Sequence, residues 1–341
     1  MKIGKLVRND YPVGLIVDIH DYCNARCKMC PYEFLHKKLD QGKMDWSLYA
    51  KIVNDFSTLI ERYKFKGMMT YCNMGEPFMM KSLFKYTSYA EQKGIDVYIN
   101  TNASLMTPSK LDLLFNSGFH GSFNISFHAA SKELYKDIMG LDYEKTLKNI
   151  EYLIANYSKK KISINALNYH WPSDEGEKIH SLFKKLGIDI SVNKPISRAG
   201  LMALYRKSSR YIIAGCGPER VLYQMIITHN GDVLLCCNDM ARKAIVGNVK
   251  QNSIQQVWNG AIFNDFLEKI YMGKPSAPNF ICKLCEESVP YFSVRRFIKS
   301  LFPKKTLEFI KSRKDEEWII SKALQNDNIK HSSTSRINKN S

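Results

Sequence analysis

Hydrophobic positions in this chain alternate between two patterns: short apolar runs, and longer stretches with an apolar residue every three to four positions. The run Val13–Ile19 (VGLIVDI) is β-branched and of strand length, and Gly67–Cys72, Ile95–Ile99, Ser122–Phe127, Ile162–Leu167 and Ile188–Val192 read the same way. Between them, helical spacing covers Trp46–Tyr63, Ser82–Lys93, Pro108–Ser117, Tyr143–Asn156 and Asp174–Leu186. Thr107 before Pro108 is a cap followed by proline at the first helical position. Ser173-Asp174-Glu175 supplies a cap and first-turn acids for the last helix. Strands alternating with helices predict parallel βα units. Their number suits an α/β barrel or a doubly wound sheet. In either, functional residues gather where the strands' C-terminal ends meet the following loops.

The pattern changes after Gly200. Leu222–Ile227 and Val233–Cys237 flank Asn230-Gly231, a turn that can take the positive φ of a type I′ hairpin. A short helix follows, with Ser253 as its cap and Trp258 on it, and then Cys282 and Cys285. So small an α+β unit has few residues to fill a core and needs a staple, which four cysteines can provide. From Pro290 the chain is basic and aromatic (Arg295, Arg296, Phe297, Lys299, Phe302), and its Ser/Asn/Lys-rich end after Lys330 predicts disorder. The expected division is residues 1–205, 206–290 and a basic tail 291–341.

With 341 residues, 45% of them hydrophobic, the chain can bury a sizeable core, and 24% charged residues exclude wholesale disorder. No apolar segment follows the basic start, and no run approaches the roughly 20 residues that span a bilayer. A cytoplasmic protein is expected. In that reducing compartment nine cysteines point to metal or redox chemistry rather than disulfides. The net charge of +17 could serve nucleic acid, an anionic membrane or an acidic substrate. A lysine-rich solvated surface explains it more simply, and nucleic acid is not expected. The tail could form an amphipathic helix with weak contact to a membrane surface, or a solvated helix packed on the barrel.

Cys23-Asn-Ala-Arg-Cys27-Lys-Met-Cys30 lies just past the first predicted strand. Three thiolates on one loop can hold three irons of a cubane and leave the fourth open, as a centre that does chemistry requires. Zinc would want a fourth ligand, which His20 or His36 could offer. The CxxxCxxC spacing resembles that of the radical SAM superfamily. The resemblance implies a partial (β/α)6 barrel and a [4Fe–4S] cluster whose open iron chelates S-adenosylmethionine. An electron from a flavodoxin- or ferredoxin-like reductant then breaks a C–S bond to give a 5′-deoxyadenosyl radical.

Other segments carry the resemblance over Pro12–Gly200. Gly75-Glu76-Pro77 is similar to the GGEP motif that meets the methionine amino group, with Met74 in place of its first glycine. Asn100-Thr101-Asn102 resembles the TNG motif, with Ala103 replacing the glycine. Ser126 and Asn168 match polar cofactor contacts, and Met29 a bulky residue near adenine. His128 stands where the family carries aspartate, and is either a proton donor or a satisfied core histidine. Cys72 reads as a buried hydrophobe.

Cys216, Cys236, Cys282 and Cys285 form a second set, which by donor chemistry suits zinc or a complete [4Fe–4S] cluster. With the Gly231-x4-Cys236 spacing, Gly247-Asn248 and Trp258, they resemble a shortened SPASM/twitch domain carrying one auxiliary cluster. Successive strand residues point to opposite faces, so only one of Cys236 and Cys237 can easily ligate, and the offset from Gly231 makes Cys236 the expected one. The resemblance implies an oxidoreductase that dehydrogenates a carbohydrate or aminocyclitol-type small molecule or glycan, with the auxiliary cluster accepting the electron. Arg198 is a candidate for binding a polar substrate group. The alternatives are a peptide maturase or epimerase, which commonly has a leader-binding domain before the first motif, and a non-catalytic iron–sulfur electron-transfer module.

Overall fold

A computed structural model describes residues 2–3, 6–202 and 213–290. The expectations for the tail 291–341 lie outside the described residues. Those up to Ser288 belong to one compact unit.

Six parallel strands form the frame: β1 (Gly14–Val17), β2 (Met68–Tyr71), β3 (Asp96–Thr101), β4 (Ser122–Ser126), β5 (Ile162–Leu167) and β6 (Ile190–Asn193). They lie side by side in chain order. A doubly wound sheet reverses its strand order at a switch point, and this one never does, so the arrangement is the partial barrel. Helices α1 (Trp46–Tyr63), α2 (Leu83–Gln92), α3 (Pro108–Asn116), α4 (Lys132–Met139), α5 (Tyr143–Asn156) and α6 (Glu175–Leu186) make the crossovers. Leu15, Val17, Met69, Val97, Ile99, Phe123, Ile125, Ile164 and Ala166 are fully or almost fully buried, giving the sheet one dry face.

One local expectation gains a second role and another needs correction. Glu175 stands in the first turn of its own helix, as expected, and also serves a second helix. It is fully buried, and its Oε1 accepts from the amides of Ala130 (2.5 Å) and Ser131 (2.9 Å), so it caps the start of α4 from 44 residues away. Helix α4 also carries local signals, with Ser131 at its N-cap and Gly140 at φ 66° at its end. The 228–231 turn is not type I′. Only Gly231 takes a positive φ (88°), and the Gly231 amide donates to Thr228 O at 2.9 Å, a type I turn closed by a glycine bulge.

The segment after Gly200 joins the same sheet. Strand β7 (Ile213–Cys216) lies apart from it, while β8 (Gln224–Ile227) runs parallel to β1, with Ile226 opposite Ile16. Strands β9 (Asp232–Leu234) and β10 (Ile245–Asn248) then extend the sheet antiparallel to nine strands. Ser253 caps α7 (Ile254–Trp258) in a full capping box with Gln256. An additional helix, α8 (Ala261–Tyr271), and a turn of helix, α9 (Ile281–Leu284), complete the unit. Trp258 is fully buried, with the Arg8 guanidinium stacked 3.8 Å from its ring.

Candidate iron–sulfur sites

The cysteine loop leaves the C-terminal end of β1 and is pinned by its own backbone. The Cys23 amide donates to Tyr32 Oη, the Cys30 amide to Cys27 O, and the Arg26 and Lys28 amides to Met139 and Ile138 at the end of α4, each at 2.9 Å. Arg26 Nη1 folds back onto the carbonyls of Cys23 and Ala25 at 2.9 Å. Burial pushes the Cys23 thiol up to about 12. Burial raises Cys27 well above its usual value, and the neighbouring Cys30 and Cys23 add to this. Cys30 is raised by burial and partly relieved by the Tyr32 amide and Arg198. Thiols that repel one another's charge in a dry site ionise only against a cation, and a bound iron supplies that charge. The donor set therefore fits a cluster held by three cysteines.

The histidines offered as a fourth zinc ligand are engaged with backbone. His20 Nδ1 accepts from the Tyr22 amide (3.1 Å), and His36 Nδ1 lies 2.8 Å from Tyr32 O. Among the described residues, no three or more His, Cys, Asp or Glu converge closely enough for a single metal ion. A cubane, whose irons stand apart, spreads its thiolates more widely than one ion does.

Beside this loop, the ends of β2 and β3 are tied by one carboxylate. Glu76 is 1% exposed, and it accepts from Thr101 Oγ1 (2.6 Å), the Asn102 amide (2.7 Å) and the Phe78 amide (3.1 Å). Burial raises its pKa and these three donors oppose the rise. The Glu76 amide donates to Tyr22 O at 2.7 Å. Gly75 sits at φ 100°, where a Cβ would stand 2.8 Å from His20 O and 3.0 Å from Tyr22 O. Only glycine lets these backbones meet. Asn102 Nδ2 donates to Asn24 Oδ1 at 3.1 Å, linking the motif to the cysteine loop. Ala103, standing where the motif's glycine would, adopts φ 59°.

The remaining expected residues are placed as follows. Ser126 ends β4, half-buried and opposite Asn165 of β5. Asn168 is exposed just past β5, its amide donating to Asn193 O at 2.8 Å. Met29 is buried in the core. His128 is 6% exposed, its Nδ1 accepts from the Leu167 amide at 3.2 Å, and burial lowers its pKa to about 4. It is a neutral, bonded core histidine.

Arg198 lies beyond β6 at φ 50°, followed by Ala199 at 54° and Gly200 at 79°. Its Nη1 donates to Asn238 Oδ1 at 3.2 Å, which places it beside the second cysteine set.

Cys216, Cys236, Cys282 and Cys285 line a single cavity, together with Ala199, Asn238 and Glu287. Cys237 is not among the lining residues. The strand-alternation argument that only one of Cys236 and Cys237 can ligate does not apply, because β9 ends at Leu234. Both lie in the turn that follows, closed by the Asp239 amide on Cys236 O at 2.9 Å. Burial raises Cys216, Cys282 and Cys285. Four thiols around one dry recess fit a fully ligated cluster by the same donor chemistry as the first set.

One buried group carried no recognisable sequence signal. Asp21, fully buried two residues before Cys23, lies 2.5 Å from His229 Nδ1 and 2.7 Å from Arg242 Nη2. It joins the cysteine loop to the β8–β9 turn. Gly42 gives the His229 ring room, since a Cβ there would lie 2.4 Å from Nε2. Asp18 accepts from the amides of Asn73 and Met74 (2.7 and 2.8 Å), and burial with Asp21 nearby pushes it up to about 8.

The radical SAM superfamily model matches residues 17–180, and the model of the SPASM iron–sulfur cluster-binding domain matches residues 216–286. The chain belongs to the radical SAM superfamily. This radical SAM protein is an enzyme of the SPASM type, whose cofactors are a [4Fe–4S] cluster, S-adenosylmethionine and an auxiliary iron–sulfur cluster. It is similar to the S-adenosyl-L-methionine-dependent 2-deoxy-scyllo-inosamine dehydrogenase of Niallia circulans, 23% identical over 277 residues, covering 79% of this chain and 90% of the relative. The crystal structure of BtrN with AdoMet and 2-DOIA superposes with a TM-score of 0.54 at 20% identity, covering 81% of this chain and 92% of that one. Streptococcus suis SuiB bound to the precursor peptide SuiA gives 0.58 at 17% identity, covering 82% and 70%. These two likenesses concern the fold.

Proposed function

We propose that this enzyme dehydrogenates an alcohol carbon of a carbohydrate or aminocyclitol-type small molecule. In this reading Cys23, Cys27 and Cys30 hold the S-adenosylmethionine cluster, and Cys216, Cys236, Cys282 and Cys285 an auxiliary [4Fe–4S] cluster within residues 206–290. The observation that carries it is the four-cysteine cavity, because a cluster with every iron ligated by protein is suited to accept an electron rather than bind substrate. The name of the Niallia circulans relative supports the same chemistry.

When bound, these cofactors supply a 5′-deoxyadenosyl radical to take the hydrogen atom and an acceptor for the remaining electron. The chain's own residues orient them. Gly75 lets the β2 end approach the cysteine loop, while Glu76 and Asn102 lock the β2 and β3 ends around the place of the methionine group. Met29, Ser126 and Asn168 are the further cofactor contacts. His128, bonded at Nδ1 and with its pKa lowered by burial, holds the β4 and β5 ends together.

A flavodoxin- or ferredoxin-like protein is the proposed reductant, and the cytoplasm the proposed location. The basic aromatic stretch after Pro290 is proposed to give weak contact with an anionic membrane surface. Liposome flotation with and without that stretch tests this, and equal partition would remove the idea.

The main experiment reconstitutes the protein anaerobically with iron, sulfide, reductant and S-adenosylmethionine, and offers 2-deoxy-scyllo-inosamine and related aminocyclitols. A ketone two hydrogens lighter, formed with 5′-deoxyadenosine, is the expected product. Turnover of a peptide with none of these aminocyclitols oxidised would refute the substrate class.

A further inference from the structure

Asn238 has a side-chain amide that the structure fixes in one orientation. It is 3% exposed, so its polar atoms must find partners within the protein. Its Oδ1 accepts from Arg198 Nη1 at 3.2 Å, and a guanidinium can only donate. Its Nδ2 donates to Glu287 Oε2 at 2.8 Å, and an ionised carboxylate can only accept. The amide cannot turn over without setting donor against donor and acceptor against acceptor.

Both neighbours are themselves held. Arg220 grips Glu287 through two bonds, at 2.5 and 3.0 Å. Arg198 is carried on three consecutive residues of positive φ, a run pinned where the Ser197 amide and hydroxyl both donate to Glu286. Such a sparse backbone region persists only where its surroundings over-determine it.

One consequence reaches the auxiliary site. With its oxygen on Arg198 and one N–H on Glu287, Asn238 directs Nδ2 at Cys285 Sγ, 3.8 Å away and within hydrogen-bonding range for sulfur. Asn238 and Cys285 line the same cavity.

We propose that Asn238 is a positioning residue that sets the reduction potential of the auxiliary cluster through an N–H···S bond to Cys285, with Arg198 and Glu287 fixing its orientation. The proposal rests on the reading that Cys285 ligates that cluster. An N–H aimed at a ligating sulfur stabilises the more negative, reduced state and so raises the potential. A higher potential makes the cluster the better acceptor. Packing alone would need only a residue of this size at position 238, not one with a directed donor.

The test is an EPR-monitored redox titration of the full chain carrying both clusters, comparing wild type with Asn238→Ala and Asn238→Leu. Leu keeps the branched shape of the side chain and removes both the donor to Cys285 and Glu287 and the acceptor for Arg198, whereas Ala also empties the space. Both variants should shift the auxiliary couple about tenfold toward the oxidised form, which is 59 mV for one electron. The couple of the S-adenosylmethionine cluster should stay in place as the internal reference. An unshifted auxiliary couple in either variant that keeps its cluster overturns the proposal. Loss of the auxiliary signal and its share of iron from both would also overturn it, assigning Asn238 to assembly of the site. A wild-type protein with only one cluster would refute the underlying ligand reading instead, and iron analysis tells that case apart.

Discussion

Adding a single methyl group at Gly75 should disable the S-adenosylmethionine site, and a second glycine supplies the control. At position 75 an alanine Cβ would lie 2.8 Å from His20 O and 3.0 Å from Tyr22 O at φ 100°. Both neighbours are backbone carbonyls of the segment that leads into Cys23, so neither can yield without displacing the loop. Forcing an L-residue into positive φ costs roughly 1–2 kcal/mol. Overpacking against fixed atoms adds about 1–3 kcal/mol. Gly94 has φ 75° but nothing within 4 Å of its would-be Cβ, so Gly94→Ala carries the conformational cost alone. Urea unfolding should therefore place Gly75→Ala below Gly94→Ala by the overpacking difference of about 1–3 kcal/mol. Reductive cleavage of S-adenosylmethionine should fall at least tenfold in Gly75→Ala and hold in Gly94→Ala. Equal stabilities with unchanged cleavage in both variants would refute the close-approach argument.

Cys236→Ser should lose the auxiliary cluster's iron and EPR signal while Cys237→Ser keeps both, read by iron analysis and spectroscopy. His128 binds its proton more weakly folded than unfolded, so the stability this implies is complete above about pH 6.5 and is lost as pH falls toward 4, roughly 3 kcal/mol in all. Urea midpoints at pH 7 and 4.5 should differ by less in His128→Gln than in wild type. Glu175→Leu should cost about 2–4 kcal/mol in urea unfolding, since it leaves both backbone donors and the Ser131 hydroxyl without their acceptor.

The barrel was legible wherever one segment states its own structure. Strand Ile162–Leu167 and helices Trp46–Tyr63 and Tyr143–Asn156 follow residue for residue from apolar spacing, because each buries one face against the same core. Helix Lys132–Met139 is different, since its start is secured by Glu175 from another helix. The parallel pairing of Gln224–Ile227 with Gly14–Val17 joins strands two hundred residues apart, and no local pattern encodes it. At the site, the cysteine spacing and the Gly75-Glu76 motif named the chemistry. The orientation of Glu76 was hidden, as were Asp21, His229 and Arg242, because isolated acidic, histidine and arginine residues look alike until folding buries them together. The pairing of Arg198 with Asn238 rather than with solvent emerges only once the turn after β9 is in place.

The central claim is that Cys23, Cys27 and Cys30 hold the cluster that makes the radical. Its most direct measurement is 5′-deoxyadenosine formation by anaerobically reconstituted, reduced protein, wild type against Cys27→Ala. Wild type should cleave S-adenosylmethionine and Cys27→Ala should fall to background while retaining the auxiliary cluster's signal. Cleavage by Cys27→Ala at the wild-type rate, or none by a wild-type protein that holds its iron, would contradict the account.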